Sequence, residues 1–185
     1  MKKKIKITVV GSGYVGLSLA VLLSQYNEVV VLDIDSSRVK KINNKQSTVK
    51  DREIQSFLIE KNLNITATSN KRMAYKDASF IIIATPTNYD VNTNRFDTNS
   101  VDGVVEDVLR YNSKTFIIIK STIPIGHTEF LQEKHNTDHI IFSPEFLREG
   151  RALKDNLFPS RIIIGSHLEE AKHFAKLLKQ GAETN

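Results

Sequence analysis

The stretch Gly11-Ser12-Gly13-Tyr14-Val15-Gly16 constrains this chain more than any other. It follows an apolar run over residues 5–10 and opens an apolar-periodic stretch over 17–23. A second apolar run, 29–32, comes next and ends on Asp33. Strand, glycine-rich turn, helix, strand and acidic residue in that order form the dinucleotide-binding βαβ pattern. Gly11 allows a tight turn out of the strand. Gly13 lets the backbone approach a pyrophosphate, and Gly16 lets the helix pack closely on the strand. The phosphates would sit on free N–H groups at the positive end of that helix. Asp33 stands where a carboxylate accepts hydrogen bonds from an adenosine ribose. A 2′-phosphate would meet its negative charge, so the pattern predicts NAD rather than NADP. The bland alternative is a glycine turn in a core βαβ unit that binds nothing.

The remainder of the chain extends the alternation. Short β-rich runs at 5–10, 28–33, 65–68, 80–84, 115–120, 140–143 and 161–165 are separated by helix-period segments at 15–25, 35–43, around 54–58, 101–108, 127–134 and 171–178. This predicts a Rossmann-type α/β fold, a doubly wound, mostly parallel sheet flanked by helices. A chain of 185 residues suffices for one domain with a proper core. The polar stretch 85–100 is long for a connection in a compact domain, which points to a functional loop. Gly181 reads as a helix stop.

Composition narrows the functional classes. No apolar stretch is long enough to span a bilayer. The basic start at residues 2–4 is followed by an apolar run that is short and contains Lys6, so it is not read as a signal peptide. A cytoplasmic protein with no membrane partner is expected. The chain has no cysteine, hence no disulfide and no thiolate metal site. Its net charge of +5 is spread among acidic residues; it suits an anionic nucleotide and carries no nucleic-acid motif. His135 and His139 have helical chelating spacing but no suitable third ligand nearby, so no metal site is expected.

In open α/β sheets, ligands bind beyond the carboxyl ends of the strands. Four stretches qualify: 11–16, 85–89, 120–126 and 143–150. Thr85-Pro86-Thr87-Asn88-Tyr89 offers hydroxyls and an amide on a stiffened turn, and equally reads as plain turn chemistry. Lys120-Ser121-Thr122-Ile123-Pro124 places a lysine and two hydroxyls at a strand end, or caps a helix. In Glu145-Phe146-Leu147-Arg148-Glu149-Gly150, the two carboxylates would share a face if the segment is helical. One could act as a base or orient water, while the other could hold a nicotinamide amide. Solvated charges, with Arg148 paired to a neighbour, are the alternative.

Taken in order, Gly11–Leu17, Ala84–Thr87, Ser121–Gly126 and Ser143–Gly150 resemble the UDP-glucose/GDP-mannose dehydrogenase family, and the likeness continues to Pro159-Ser160-Arg161. The resemblance implies oxidation of a nucleotide sugar, of the UDP-glucose type, at C6 to a carboxylate. It implies two NAD⁺ and a thioester on a cysteine. By motif, Gly11, Gly13, Gly16 and Asp33 would hold NAD. Tyr14, Val15, Thr85, Pro86, Thr87, Ser121 and Thr122 would line the cofactor cleft, with Thr122 also helping to place a water. Glu145 would be the base in thioester hydrolysis, and Glu149 would reach the nicotinamide end. Glu145, Phe146, Leu147 and Arg148 would contact the nucleotide sugar. The family's cysteine, its oxyanion-holding lysine and asparagine, and its dimer helix all lie beyond position 185. The chain is therefore expected to be the single NAD-binding domain, inactive alone, of an enzyme that dimerises. Another nucleotide-sugar dehydrogenase is an alternative. A β-hydroxyacid dehydrogenase shares the early fingerprint but not the later motifs. A non-enzymatic NAD-binding module is the reading of a different class.

Overall fold

The computed structural model describes residues 5–91 and 95–183; the basic start at 2–4 and part of the polar stretch, 92–94, lie outside the described residues. Eight strands and eight helices follow in the order β1 (Lys6–Val10), α1 (Tyr14–Ser24), β2 (Glu28–Leu32), α2 (Ser36–Asn43), α3 (Arg52–Glu60), β3 (Ile65–Thr68), α4 (Lys71–Tyr75), β4 (Phe80–Ile83), β5 (Asn88–Asp90), β6 (Arg95–Asp97), α5 (Asn99–Tyr111), β7 (Phe116–Ile119), α6 (His127–His135), β8 (Ile140–Phe142), α7 (Ala152–Leu157) and α8 (Glu169–Gly181). Six strands form one sheet in the order β3-β2-β1-β4-β7-β8, every pairing parallel. The doubly wound parallel sheet expected from the sequence is the one observed.

The pleat sends successive side chains to opposite faces, and both faces are apolar. Ile7, Val9, Val29, Val31, Phe80, Ile82, Ile118 and Ile141 point into a core shared with α1, α3, α7 and α8. Val10, Val30, Leu32, Ile81, Ile83, Ile117, Ile119 and Ile140 point into the other, shared with α4, α5 and α6. Helix α1 is buried along residues 16–24, because α7, α8 and α3 cover the side that the sheet does not.

Side chains close the helix ends. Asp35 caps α2 by accepting from Ser37 N and Arg38 N, and Asn70 caps α4 through Met73 N. Carbonyls around the end of α4 are met from β1: Lys6 Nζ donates to Met73 O and Lys76 O, and Thr8 Oγ1 to Ala74 O. Asp51 serves two helices. One carboxylate oxygen accepts from Ile54 N at 3.1 Å and the other from Leu153 N at 3.3 Å. It thereby ties the start of α3 to the start of α7. The sheet edge at β3 is covered by Asn43, whose amide both donates to and accepts from the Ala67 backbone.

Three sequence expectations change. Residues 161–165 are not a strand. Gly165 N donates to Phe142 O, but the Ile163 carbonyl is taken by the Ser143 hydroxyl, so no ladder forms. The polar stretch 85–100 holds the antiparallel pair β5–β6, with Tyr89 against Phe96 in an edge contact of 5.1 Å. Gly181 is the last residue of α8, and its role is close approach: a Cβ there would stand 2.7 Å from Leu22 Cγ on α1.

Because Asp51 is buried and joins two helices, Asp51→Ala should lower the unfolding free energy by about 2 kcal/mol or more. Asp35→Ala, at an exposed cap, should cost less. Denaturant titration of both variants checks this; an equal or smaller loss at Asp51 would contradict the assignment.

Candidate functional site

Parallel strands end on one side of the sheet. The chain runs outward from β1 through β2 to β3, then returns to lay β4 on the other side of β1. This reversal opens a crevice above the ends of β1 and β4, the usual place for a nucleotide in such sheets. The loops after β1, β4, β7 and β8 all leave from this same edge of the sheet.

The glycine turn is shaped by contact as well as by conformation. Gly11 has φ +95°, and a Cβ on it would stand 2.6 Å from Ala84 O at the end of β4. A Cβ on Gly16 would lie 1.9 Å from Gly11 O. Gly13 differs: nothing lies within 4 Å of a Cβ built there. It caps α1 without a side-chain hydrogen bond, so the first N–H groups of that helix, at Tyr14, Val15 and Gly16, receive no capping side chain. Open space over a glycine at an uncapped helix start fits a pyrophosphate. These residues accommodate the dinucleotide that the sequence pattern calls for.

Asp33 is 8% exposed. Its Oδ2 accepts from Ser12 N at 2.9 Å and from the Ser12 hydroxyl, and its Oδ1 from Asp35 N at 3.0 Å. A carboxylate has about four acceptor sites. Two are used to brace the turn and a third holds the Asp35 N–H, which leaves one open. Thr48 Oγ1 donates to the Ser12 carbonyl from the opposite side. Ser12 and Thr48 are thus parts of the site that sequence reasoning did not assign. Ser12 is the variable position of its motif, and Thr48 lies in an irregular loop with no pattern of its own.

The next two loops are fastened to each other. Ser121 Oγ donates to Thr85 O at 2.6 Å, and Ser100 Oγ to Pro86 O at 2.8 Å. The hydroxyls of Thr85 and Ser100 meet at 3.1 Å. Ser121 is buried, so its hydroxyl braces the crevice wall, while Thr87 is half-buried and Thr122 is exposed at the rim. His127 Nε2 lies 2.7 Å from Asp102 Oδ1, joining the starts of α6 and α5.

The fourth loop is irregular over residues 143–148 and turns at Glu149 and Gly150, so Glu145 and Glu149 do not share a helical face. Arg148 is held by Asp155: its backbone N, Nε and Nη2 donate at 2.9, 3.1 and 2.6 Å. The guanidinium keeps the Asp155 carboxyl below the usual carboxylate range. Phe146 is exposed and lies under the Arg161 guanidinium, 4.0 Å from ring centroid to Cζ. Leu147 is half-buried and Glu149 exposed. Glu145 is partly buried; its Oε1 accepts from Phe146 N at 3.1 Å, and its Oε2 stands 3.3 Å from Lys120 Nζ. Oε2 accepts no well-aligned hydrogen bond, so the contact is an ion pair. Burial pushes the Lys120 ammonium below its ordinary pKa, and Glu145 opposes that shift. His135 ends α6 and His139 lies beyond the turn at Asn136, so they do not share a helix. Among the described residues no three metal-ligating side chains come together, and no helix is long and apolar enough to cross a membrane.

Comparison with known proteins agrees with this geometry. Residues 5–180 match the NAD binding domain of the UDP-glucose/GDP-mannose dehydrogenase family. UDP-glucose 6-dehydrogenase of Streptococcus pneumoniae is 53% identical over 183 residues, which is 96% of this chain and 46% of that protein. The enzyme of the same name from Campylobacter jejuni is 49% identical, with the same coverage. The chain therefore spans about half the length of these relatives. Among solved structures, a UDP-glucose dehydrogenase from Pyrobaculum islandicum superposes with a TM-score of 0.85 at 25% identity, covering 98% of this chain and 45% of that one. A UDP-D-ManNAc dehydrogenase from Pyrococcus horikoshii gives 0.84 at 26% identity, covering 98% and 46%. With a glycine turn open at Gly13, an acidic residue at the end of β2 and a family match along nearly its whole length, the chain belongs to the UDP-glucose/GDP-mannose dehydrogenase family and is its NAD-binding domain.

Proposed function

We propose that this domain works within a UDP-glucose 6-dehydrogenase, converting UDP-glucose, two NAD⁺ and water to UDP-glucuronate and two NADH. The observation that carries this reading is that four strand-end loops leave one edge of the parallel sheet, the last of them bringing the partly buried carboxylate of Glu145 against Lys120. The identity to UDP-glucose 6-dehydrogenases supports glucose as the sugar. NAD⁺, when bound, accepts the hydride that leaves the sugar C6 carbon. The cysteine that the family chemistry requires is not among these 185 residues. The length of the relatives that this chain does not span would have to supply it, and this domain alone would not turn over.

The residues here would divide the work as follows. Gly13 and the first N–H groups of α1 receive the pyrophosphate, and Asp33 receives the adenosine ribose. Thr85, Pro86, Thr87 and Ser121 form the cleft wall. Thr122 helps place the water, and Glu149 reaches the nicotinamide end. Phe146, Leu147 and Arg148 lie along the nucleotide sugar, with Arg148 fixed by Asp155, which holds both its guanidinium and its backbone N–H. Glu145 accepts a proton from the water. The water oxygen then bonds to the acyl carbon, the carbon–sulfur bond breaks and the thiolate leaves. A homodimer is the expected state of the whole protein.

Calorimetric titration of this chain tests the cofactor half of the reading. NADH should bind saturably and NADPH about tenfold more weakly or worse. Gly13→Val should remove most NADH affinity while the unfolding midpoint stays near that of the original chain, since its Cβ meets nothing. Equal NADPH binding would overturn the role of Asp33. In a full-length protein carrying this domain, Glu145→Gln should leave release of the first NADH intact and slow steady-state turnover by about 10²- to 10⁴-fold. Unchanged turnover would overturn the base assignment.

A further inference from the structure

Lys120 and Glu145 form the most deeply buried ion pair among the described residues, with side chains 5% and 16% exposed. Each is fixed by the sheet. Lys120 directly follows β7, and its N–H donates to Ile83 O at the end of β4. Glu145 follows β8, the parallel neighbour of β7, in which Ile119 pairs with Phe142. The two residues are thus delivered side by side by adjacent strand ends. Both line a cavity of about 40 Å³, room for roughly three water molecules. Asp155 and Arg161 are the other charged groups on its wall, and Asn156 and Phe146 help to close it. Asp155 is already held by Arg148, and Arg161 lies over Phe146, so Lys120 is the cation that meets Glu145.

A buried lysine is a costly way to fill space. An apolar side chain of similar size would pack there without desolvating an ammonium. What lysine adds is a fixed positive charge beside a carboxylate that must be ionised to take a proton. We propose that Lys120 is a positioning residue for Glu145: from the end of β7, its ammonium holds the Glu145 carboxylate in place on the wall of this cavity. This rests on the reading of Glu145 as the base in the hydrolytic step. In that step the water proton passes to Glu145, and Lys120 keeps its own protons.

Two measurements test it. In this chain, the Lys120 side chain is titrated by NMR with and without Glu145→Gln. Loss of the carboxylate should move its midpoint further down, because burial then acts without its counterweight. An unmoved midpoint would overturn the pairing. In a full-length protein carrying this domain, Lys120→Met should slow thioester hydrolysis by about 10- to 100-fold while the first NADH is still released. Lys120→Arg should recover most of that loss, and the pH dependence of the hydrolytic step should shift in Lys120→Met but not in Lys120→Arg. Normal hydrolysis in Lys120→Met beside an impaired Glu145→Gln would overturn the inference and leave the proposed function standing. Normal hydrolysis in Glu145→Gln would overturn the reading beneath it. If Lys120→Met alone does not fold, the paired variant Lys120→Met/Glu145→Gln removes both charges. It should be no slower than Glu145→Gln, and a further slowing of about tenfold or more would overturn the positioning role.

Discussion

The Gly11 carbonyl stands where any side chain on Gly16 would have to go. That close approach of turn to helix sets the rest of the molecule. It draws α1 down onto the sheet, so that the helix starts directly beneath the end of β4 and is buried along most of its length. Gly11 in turn sits so near the Ala84 carbonyl that β1 and β4 must end level with each other. The crevice between them is a result of this packing. Its floor is a rigid helix start, and its walls are loops that leave from paired strands.

The loops are then fastened by hydrogen bonds that run between them. Asp33 and Thr48 hold Ser12 from two sides. Ser121 holds the loop after β4, and Asp51 ties the loop before α3 to the start of α7. A cofactor arriving at such a site meets groups already in place, which limits the entropy lost on binding. The same logic applies to Glu145, whose position follows from β8 and whose partner follows from β7.

Much of this was legible in the residues. Glycines at fixed offsets, a strand on either side and an acid at the second strand end left one sensible fold. The four loops could be chosen from topology alone. What was not legible was either too short or too non-local. Helix α4 has five residues and α7 has six, too few for a periodic signal. The β5–β6 pair carries one aromatic in each strand. Residues 161–165 have strand-like composition and alternate in exposure, yet the Ser143 hydroxyl takes the carbonyl that a ladder would need. The Lys120–Glu145 contact could not be read because it depends on which strands are neighbours. Spacing along the chain carries no trace of it.

In the proposed function, the crevice between β1 and β4 holds NAD. Amide chemical-shift mapping of this chain with NAD⁺ addresses it most directly. The largest changes should fall at Gly13, Tyr14 and Val15, at Ile34 beside Asp33, and at Thr87, Thr122 and Glu149. Changes gathered instead around Ile42, Leu58 and Leu63, which line a separate groove of about 330 Å³ between α2, α3 and β3, would contradict the account.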